Sequence, residues 1–359
     1  MKDEEIKVLL DKPNKTDEEV SSLKEILCNK NQEFESKEWC DKILTFSKHL
    51  AKSKSSTSVV DFLKDAYEAY TNNHNRRFSQ KLRLLYELSK QCFECGDEVS
   101  LKTYIKEYLY NALSEVEVNN VNTKMGFYSF RSFSEYSLDD IKNETISVAH
   151  PRFFNDPLDT LLEWWLSCHI NVTEDDFLKE FSILLRKASE HIKLRCLIGD
   201  KVKDVTRNIE DLPILMWSHY ANSHKGFCVR YEFTEDMFVE FEPMNKGVLK
   251  FIHTVNYCDI NMSLSKVPTM KEGIFTKSQE WEYENEMRLL YLNLEEGEDD
   301  KDFPTLGCKK AIKEVYLGVK CSDYDRQRME AALRNLDVKL YSMQIDENNP
   351  TKLKKLRIG

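Results

Sequence analysis

The chain has 359 residues, 32% of them charged, with 52 Lys and Arg against 62 Asp and Glu for a formal net charge of −10. That balance gives no sequence-wide positive field, so bulk nucleic-acid binding is not expected, although a local basic patch stays open. No run approaches the ~20 consecutive apolar residues of a bilayer span. The N-terminal MKDEEIKVLLDK is too charged for a signal peptide, so no membrane association and a cytoplasmic location are expected.

A length beyond ~250–300 residues suits two domains or one large one. The 19 Phe, 16 Tyr and 5 Trp supply a core without stapling. Ten cysteines lie at irregular spacings, and Cys92 and Cys95 form a CxxC without the second pair a structural zinc site wants, so buried reduced thiols are expected.

In chain order, residues 1–122 contain no proline after Pro13 and carry amphipathic spacing that predicts helices at about 17–29, 37–52, 58–71, 78–95 and 98–114. Thr16 before DEE, Ser58 before VVDF and Gly96-Asp97 serve as start signals. Short polar links imply antiparallel neighbours. The stretch from Phe78 to Leu113 has the texture of one tetratricopeptide-type hairpin, so this segment reads as a tetratricopeptide-like or plain antiparallel helical module, a docking surface for a protein partner or regulator.

Near residue 120 the texture changes to the aromatic GFYSFRSF, which marks a second domain over 123–359. Strands are predicted at about 126–131, 145–149, 226–233, 249–257, 282–292, 314–317 and 338–345, with helices at 135–142, 158–168, 174–193 and 322–334. Irregular alternation of this kind argues for an α+β domain. With ten glycines and neither GxGxxG nor GxxxxGK[ST], any nucleotide must be held by side chains.

Four segments carry candidate chemistry. Read with period two, Trp281–Tyr291 places Glu282, Glu284, Glu286 and Arg288 on one strand face; carboxylates ~7 Å apart repel unless a cation or polar ligand faces them. A solvated edge, or a helix pairing Glu284 with Arg288 at i,i+4, is the alternative. In MWSHYANSHKGFCVRY, Trp217, Ser218, His219 and Tyr220 ride a helical turn before a polar loop; Trp217 and Tyr220 are more often core than ligand stackers, although such a mixture beside a loop is what a binding pocket needs. The spacing of His219, His224 and Cys228 does not match a metal motif, and no metal is expected.

Tyr128 and Arg131 lie on the first strand of the second domain, where a guanidinium at the strand end can grip a phosphate or carboxylate bidentately. Asn155, Asp156 and Pro157 read as a turn and helix start with Asp156 as N-cap, a structural role that leaves a substrate contact open for Asn155 and Asp156, as for Trp217.

Taken in order, YSFRSF, TISVAHPRFFNDPLD, MWSHYANSHKGFCVRYEF and KSQEWEYENEMRLLY resemble the bacterial family known as domain of unknown function 2971, from about residue 125 to the C-terminus. The order of elements is also similar to the ADP-ribosyltransferase scaffold, whose mixed, split β-sheet clasps NAD. That resemblance implies NAD as substrate, with Arg131 in the first position, Tyr220 or Ser218 in the second and Glu286 in the third.

On that implication Glu286 stabilises an oxocarbenium-like state and accepts a ribose hydroxyl, Glu284 acts as base for the incoming nucleophile, Arg131 holds the pyrophosphate or adenosine ribose, and Tyr220 stacks on nicotinamide. Ser218, His219 and Tyr128 complete the expected NAD-binding set. The implied activity is NAD-dependent ADP-ribosyl transfer to a macromolecular target, or NAD glycohydrolysis, in an effector or toxin of a bacterial defence system. Two alternatives stand beside it: a non-enzymatic nucleotide- or peptide-sensing protein, and a Mg²⁺-dependent nuclease or hydrolase using Asp156, Asp159, Glu284 and Glu286.

Overall fold

A computed structural model describes residues 3–28, 37–53, 56–71, 78–118, 125–154, 156, 159–202, 205–234, 248–259, 269–294 and 303–359. The N-terminal part is helical: α1 (Asp3–Asp11), α2 (Asp17–Leu27), α3 (Lys37–Ser53), α4 (Ser56–Thr71), α5 (Phe78–Cys95) and α6 (Glu98–Val118). Thr16 caps α2 through a reciprocal box in which its hydroxyl accepts from Glu19 N and Glu19 Oε2 accepts from Thr16 N at 2.8 Å. Asp97 Oδ1 accepts from Ser100 N at 3.1 Å at the head of α6.

Apolar positions at i, i+3, i+4 and i+7 turn one stripe of each helix inward. Trp39, Ile43, Phe46 and Leu50 of α3, Phe62, Leu63 and Ala66 of α4, and Leu84, Leu85 and Leu88 of α5 share one core. The unforeseen α1 adds Ile6 and Leu10 to it. Close packing joins α3 to α4 and α4 to α5, and α6 follows α5 after a short turn. Gly96 between them turns the chain at φ 75°, a left-handed conformation that glycine adopts without Cβ strain.

The chain continues through β1 (Gly126–Arg131), α7 (Glu135–Lys142), β2 (Thr145–Ser147), α8 (Leu161–Val172), α9 (Asp176–Ser189), β3 (Ile192–Gly199), β4 (Lys201–Val202) and β5 (Val205–Thr206). Next come α10 (Leu215–Tyr220), β6 (Phe227–Glu232), β7 (Val248–Thr254), β8 (Asn256–Tyr257), α11 (Met270–Ile274), β9 (Thr276–Lys277) and β10 (Glu286–Asn293). The last elements are β11 (Thr305–Gly307), β12 (Ile312–Leu317), α12 (Asp323–Leu333), β13 (Lys339–Asp346) and β14 (Asn349–Arg357).

Two compact units result. One comprises Met1–Glu115 with Trp165–Ser189 and Leu264–Met270; the other comprises Val116–Trp164, Glu190–Ser263 and Lys271–Gly359. Within the first, Phe177 and Phe181 of α9 pack edge-on to Tyr86 of α5 with ring centroids 5.3 Å apart. Among the described residues no helix is long and apolar enough to cross a membrane.

The second unit is α+β, built on a mixed eight-stranded sheet ordered β14-β13-β12-β6-β1-β3-β10-β7, in which β12 and β13 run parallel and the other neighbours antiparallel. Period-two alternation sends Phe127, Leu197, Val229 and Leu289 to one face, against Leu138 and Ile141 of α7 and Met329 and Leu333 of α12. Tyr128, Phe130, Ile198 and Cys228 go to the other, against Met216 and Trp217 of α10.

Pairing along this sheet is uneven. β1 keeps register with β6 from Gly126↔Glu232 to Arg131↔Phe227, and β3 keeps it with β10 from Glu286↔Ile198 to Leu292↔Ile192. Between β1 and β3 the partners are Phe127↔Gly199 and Tyr128↔Ile198, after which the strands part. The sheet is therefore joined at one end of the β1–β3 boundary and open at the other.

Several expected elements need correction. The helix predicted over 174–193 ends at Ser189, and β3 follows, because Ile192 and Leu194 alternate with Lys193 and Arg195 in strand fashion. The helix predicted from 158 begins at Leu161, so Asp156 is not its N-cap; the Asp156 carbonyl instead accepts from Asp159 N in a turn. Asn155 and Pro157 lie outside the described residues. The strand predicted from 282 starts at Glu286, because Gln279–Glu284 winds into a 3-10 helix closed by Asn285 at φ 46°. β14 was not foreseen: its alternation is masked by charge on an exposed edge.

Candidate active site in the parted sheet

Where β1 and β3 separate, a cavity of about 900 Å³ opens. Tyr128, Phe130 and Arg131 line it from β1, and Leu194, Arg195 and Cys196 line it from β3. His219, Tyr220, Asp159, Lys277, Glu284 and Glu286 line its other side. The volume falls within the ~300–1,000 Å³ of small-molecule sites.

One end is a buried ion cluster. Lys277 Nζ lies 2.7 Å from Asp159 Oδ1, 2.8 Å from Glu284 Oε2 and 3.3 Å from Glu286 Oε2. Arg288 donates from Nε to Glu286 Oε1 at 2.7 Å and from Nη2 to Oε2 at 3.2 Å, while its Nη1 donates to the Ile274 carbonyl. Tyr220 OH donates to Glu284 Oε1 at 2.7 Å, and Tyr257 OH accepts from Glu286 N at 2.8 Å. Three carboxylates against two cations leave the cluster one net negative charge.

The two glutamates differ in state. Burial opposes ionisation of Glu286, but the charge and hydrogen bonds of Arg288, with the charge of Lys277, hold it down to about 2. Burial pushes Glu284 up from the usual carboxylate range, and the bonds from Lys277 and Tyr220 pull only part of the way back. Asp159 is raised by burial and by the charge of Glu286.

Acceptor capacity separates them further. A carboxylate offers about four lone-pair sites. Both oxygens of Glu286 are engaged, by two bonds from Arg288 and one from Lys277. Glu284 meets Lys277 and Tyr220, which leaves it room for a ligand hydroxyl.

The other end of the cavity is cationic. Arg131 Nη2 donates to Asp140 Oδ2 at 2.6 Å, and Asp140 also accepts from Thr145 Oγ1 at 2.9 Å and Ser147 Oγ at 2.6 Å. Arg195 stands opposite on β3 and donates to Ser129 Oγ. Phe153 and Phe303, 45% and 55% exposed with ring centroids 4.8 Å apart, form an aromatic lip.

Gly226 makes room for the end of β1. A Cβ there would stand 2.2 Å from the Arg131 carbonyl oxygen.

Of the candidates drawn from the sequence, Tyr128, Arg131, His219, Tyr220, Glu284 and Glu286 line this one cavity. Ser218 is not among the lining residues: its exposed hydroxyl lies 3.1 Å from His224 Nε2. Trp217 is 1% exposed and packs edge-on to Phe130 at 5.0 Å, a structural position. Asp156 is half-buried in the turn described above. Glu282, grouped with Glu284 and Glu286 in the sequence, is exposed and bonded to Gln279, because the 3-10 turn rotates it away.

Lys277, Arg195 and Asp140 were missed. A lysine is a surface residue by default, and nothing local to FTKSQ announces that three carboxylates will enclose it. The alternation of IKLRC was a usable signal for Arg195. Asp159, Glu284 and Glu286 of the Mg²⁺ alternative converge on the Lys277 ammonium, whereas Asp156 sits in the turn before Asp159, and among the described residues no group of three or more His, Cys, Asp or Glu side chains is arranged for a metal ion.

Residues 216–289 match the family model described as Protein of unknown function (DUF2971), so the resemblance to that family holds over α10 to β10. The matched segment contains His219, Tyr220, Lys277, Glu284 and Glu286 of the cavity lining, with Arg288 bonded to Glu286. No curated protein and no solved structure matches the chain.

Proposed function

We propose that the parted sheet is the active site of an enzyme that cleaves the nicotinamide glycosidic bond of NAD and passes the ADP-ribosyl group to an acceptor or to water. The observation that carries this reading is that Arg131, Tyr220 and Glu286, brought from β1, α10 and β10, line one cavity at the point where a mixed sheet opens. That is the arrangement expected of an ADP-ribosyltransferase-like scaffold.

The chemistry follows from the charges. Breaking the bond between the ribose anomeric carbon and nicotinamide sends its electron pair out with nicotinamide and leaves an oxocarbenium-like sugar. The net negative charge of the Lys277 cluster faces that cation and favours it. The acceptor oxygen then bonds to the anomeric carbon, and its proton passes to Glu284.

Glu284 therefore takes the substrate-facing role first expected of Glu286. It has spare acceptor sites and a raised pKa, whereas Glu286 is held low by Arg288 and Lys277 and anchors both. Arg131 holds phosphate, and the Tyr220 ring covers nicotinamide. In this reading the helical unit docks a partner or regulator, in the setting of an effector or toxin of a bacterial defence system.

The experiment is to incubate the full chain with NAD and follow nicotinamide release by chromatography. Release that Glu284→Gln abolishes supports the reading, and no release under any condition with candidate acceptors overturns it. One observation favours a second reading, a nucleotide-sensing protein: Asp159, Glu284 and Glu286 are all engaged with the Lys277 ammonium. Stoichiometric NAD binding without product would establish that alternative.

A further inference from the structure

The cationic end of the cavity holds more positive charge than the fold uses. Arg131 is 8% exposed and Arg195 half-buried, and Asp140 is the carboxylate bonded to Arg131. Asp140 is also occupied by Thr145 and by Ser147. Among the described residues Arg195 pairs with no carboxylate; its Nε and Nη2 share one acceptor, Ser129 Oγ, at 3.1 and 2.9 Å.

Among the described residues Arg131 Nη1 is buried without a hydrogen-bond partner. An orphaned donor on a buried guanidinium costs free energy that folding alone gives no reason to accept.

Position explains where those donors are directed. Ser129 and Arg131 share one face of β1, two residues apart, and Arg195 reaches Ser129 from β3 across the gap. Both arginines line the cavity. The charge of Arg131 is felt at Arg195, whose guanidinium is pushed down to about 10, by burial first and by Arg131 second. An anion between them would relieve that repulsion and fill the open donor.

We infer that Arg131 and Arg195 form a clamp for the diphosphate of a nucleotide ligand, one guanidinium for each phosphoryl group. The planar fork of arginine matches phosphoryl oxygens bidentately; Asp140 is the carboxylate paired with Arg131, and the exposed Asp139 also lines the cavity without an ion pair to either arginine among the described residues. This names the ligand class for the site proposed above and rests on that reading for the choice of cavity, though not for bond cleavage. The aromatic lip of Phe153 and Phe303 offers a planar ring beside the clamp.

Calorimetric titration of the full chain with ADP, AMP and adenosine tests it. ADP should bind more tightly than AMP, and AMP more tightly than adenosine. Arg195→Gln should weaken ADP binding by roughly tenfold to a hundredfold while adenosine binding stays put. Arg195→Lys, which keeps the charge and loses the fork, should recover only part.

Arg326→Gln on the exposed face of α12 controls for net charge and should match the wild type. Thermal melts report whether each variant folds; Arg131→Lys, which keeps a cation beside Asp140, gives a second reading of the clamp.

Equal affinity for ADP and adenosine, no ADP binding, or wild-type ADP affinity in Arg195→Gln overturns the clamp. The two proposals fail separately. NAD cleavage with an unchanged KM in Arg195→Gln sinks the clamp alone, and Arg195-dependent ADP binding without nicotinamide release sinks the cleavage alone.

Discussion

Arg195 Nη2 of β3 donates to Ser129 Oγ of β1 at 2.9 Å, across the stretch where the backbone ladder between these strands has already ended. This side-chain contact thus spans an opening at the boundary with the shortest ladder, the other neighbouring strands of the sheet pairing over four or more positions. Ser129→Ala removes the acceptor and should destabilise the chain by about 1–2 kcal/mol, read as a lower urea midpoint. An unchanged midpoint would show that the contact adds nothing to stability.

Lys277 has a larger structural debt to its neighbours. Lys277→Met leaves Asp159, Glu284 and Glu286 facing one another, with Arg288 as the remaining cation, and should cost about 3–5 kcal/mol at neutral pH. The carboxylate pKa values then rise in the folded state above their unfolded values, so the folded state binds more protons. Part of the loss should return as the pH falls from 7 towards 5, and denaturant titrations at both values check that sign.

Glu286 works the other way. Its folded pKa of about 2 lies below the ordinary 4.5, so its contribution is fully present above 4.5 and is lost as the pH falls towards 2. The stability gap between the wild type and Glu286→Gln should be on the order of 3 kcal/mol at neutral pH and shrink through that window. A gap independent of pH would show that Glu286 is not held as a carboxylate.

For catalysis, Glu284 must be ionised to accept a proton, and its pKa is raised by burial. The acid limb of kcat/KM for nicotinamide release should therefore fall above the usual carboxylate range, and Glu284→Gln should lower the rate by ~10²–10⁴-fold and abolish that limb. Tyr220→Phe removes the bond that pulls the Glu284 pKa down, so it should move the limb to higher pH. A limb that stays in place would separate Tyr220 from Glu284 function.

Gly226 gives a steric test. A Cβ there meets the Arg131 carbonyl oxygen at 2.2 Å and the Ala221 carbonyl oxygen at 2.9 Å, backbone atoms that yield poorly. Gly226→Ala should cost about 1–3 kcal/mol by thermal melt and weaken ADP binding through displacement of Arg131.

Local pattern carried much of this. β1 follows from the aromatic composition of GFYSFR, and the stripes of α3 to α5 follow from helical spacing. Arg131 stood out at a strand end, Tyr220 in a turn of mixed aromatic and polar residues, and Glu284 and Glu286 as carboxylates two apart. The same period-two reading went too far over 282–285, because Asn285 adopts a left-handed conformation that breaks the strand and no alternation rule registers it.

What the sequence by itself determined is therefore the α+β class, the kind of most elements and several side chains of the site, since each depends on propensities and spacings within one segment. Tertiary structure alone decided that β3 stands beside β1 yet pairs with it at two positions, that the gap becomes a cavity, and that Asp159, Glu284 and Glu286 converge on Lys277. Those relations join segments far apart in the chain, and they depend on which apolar faces bury one another and which charges must then find partners inside.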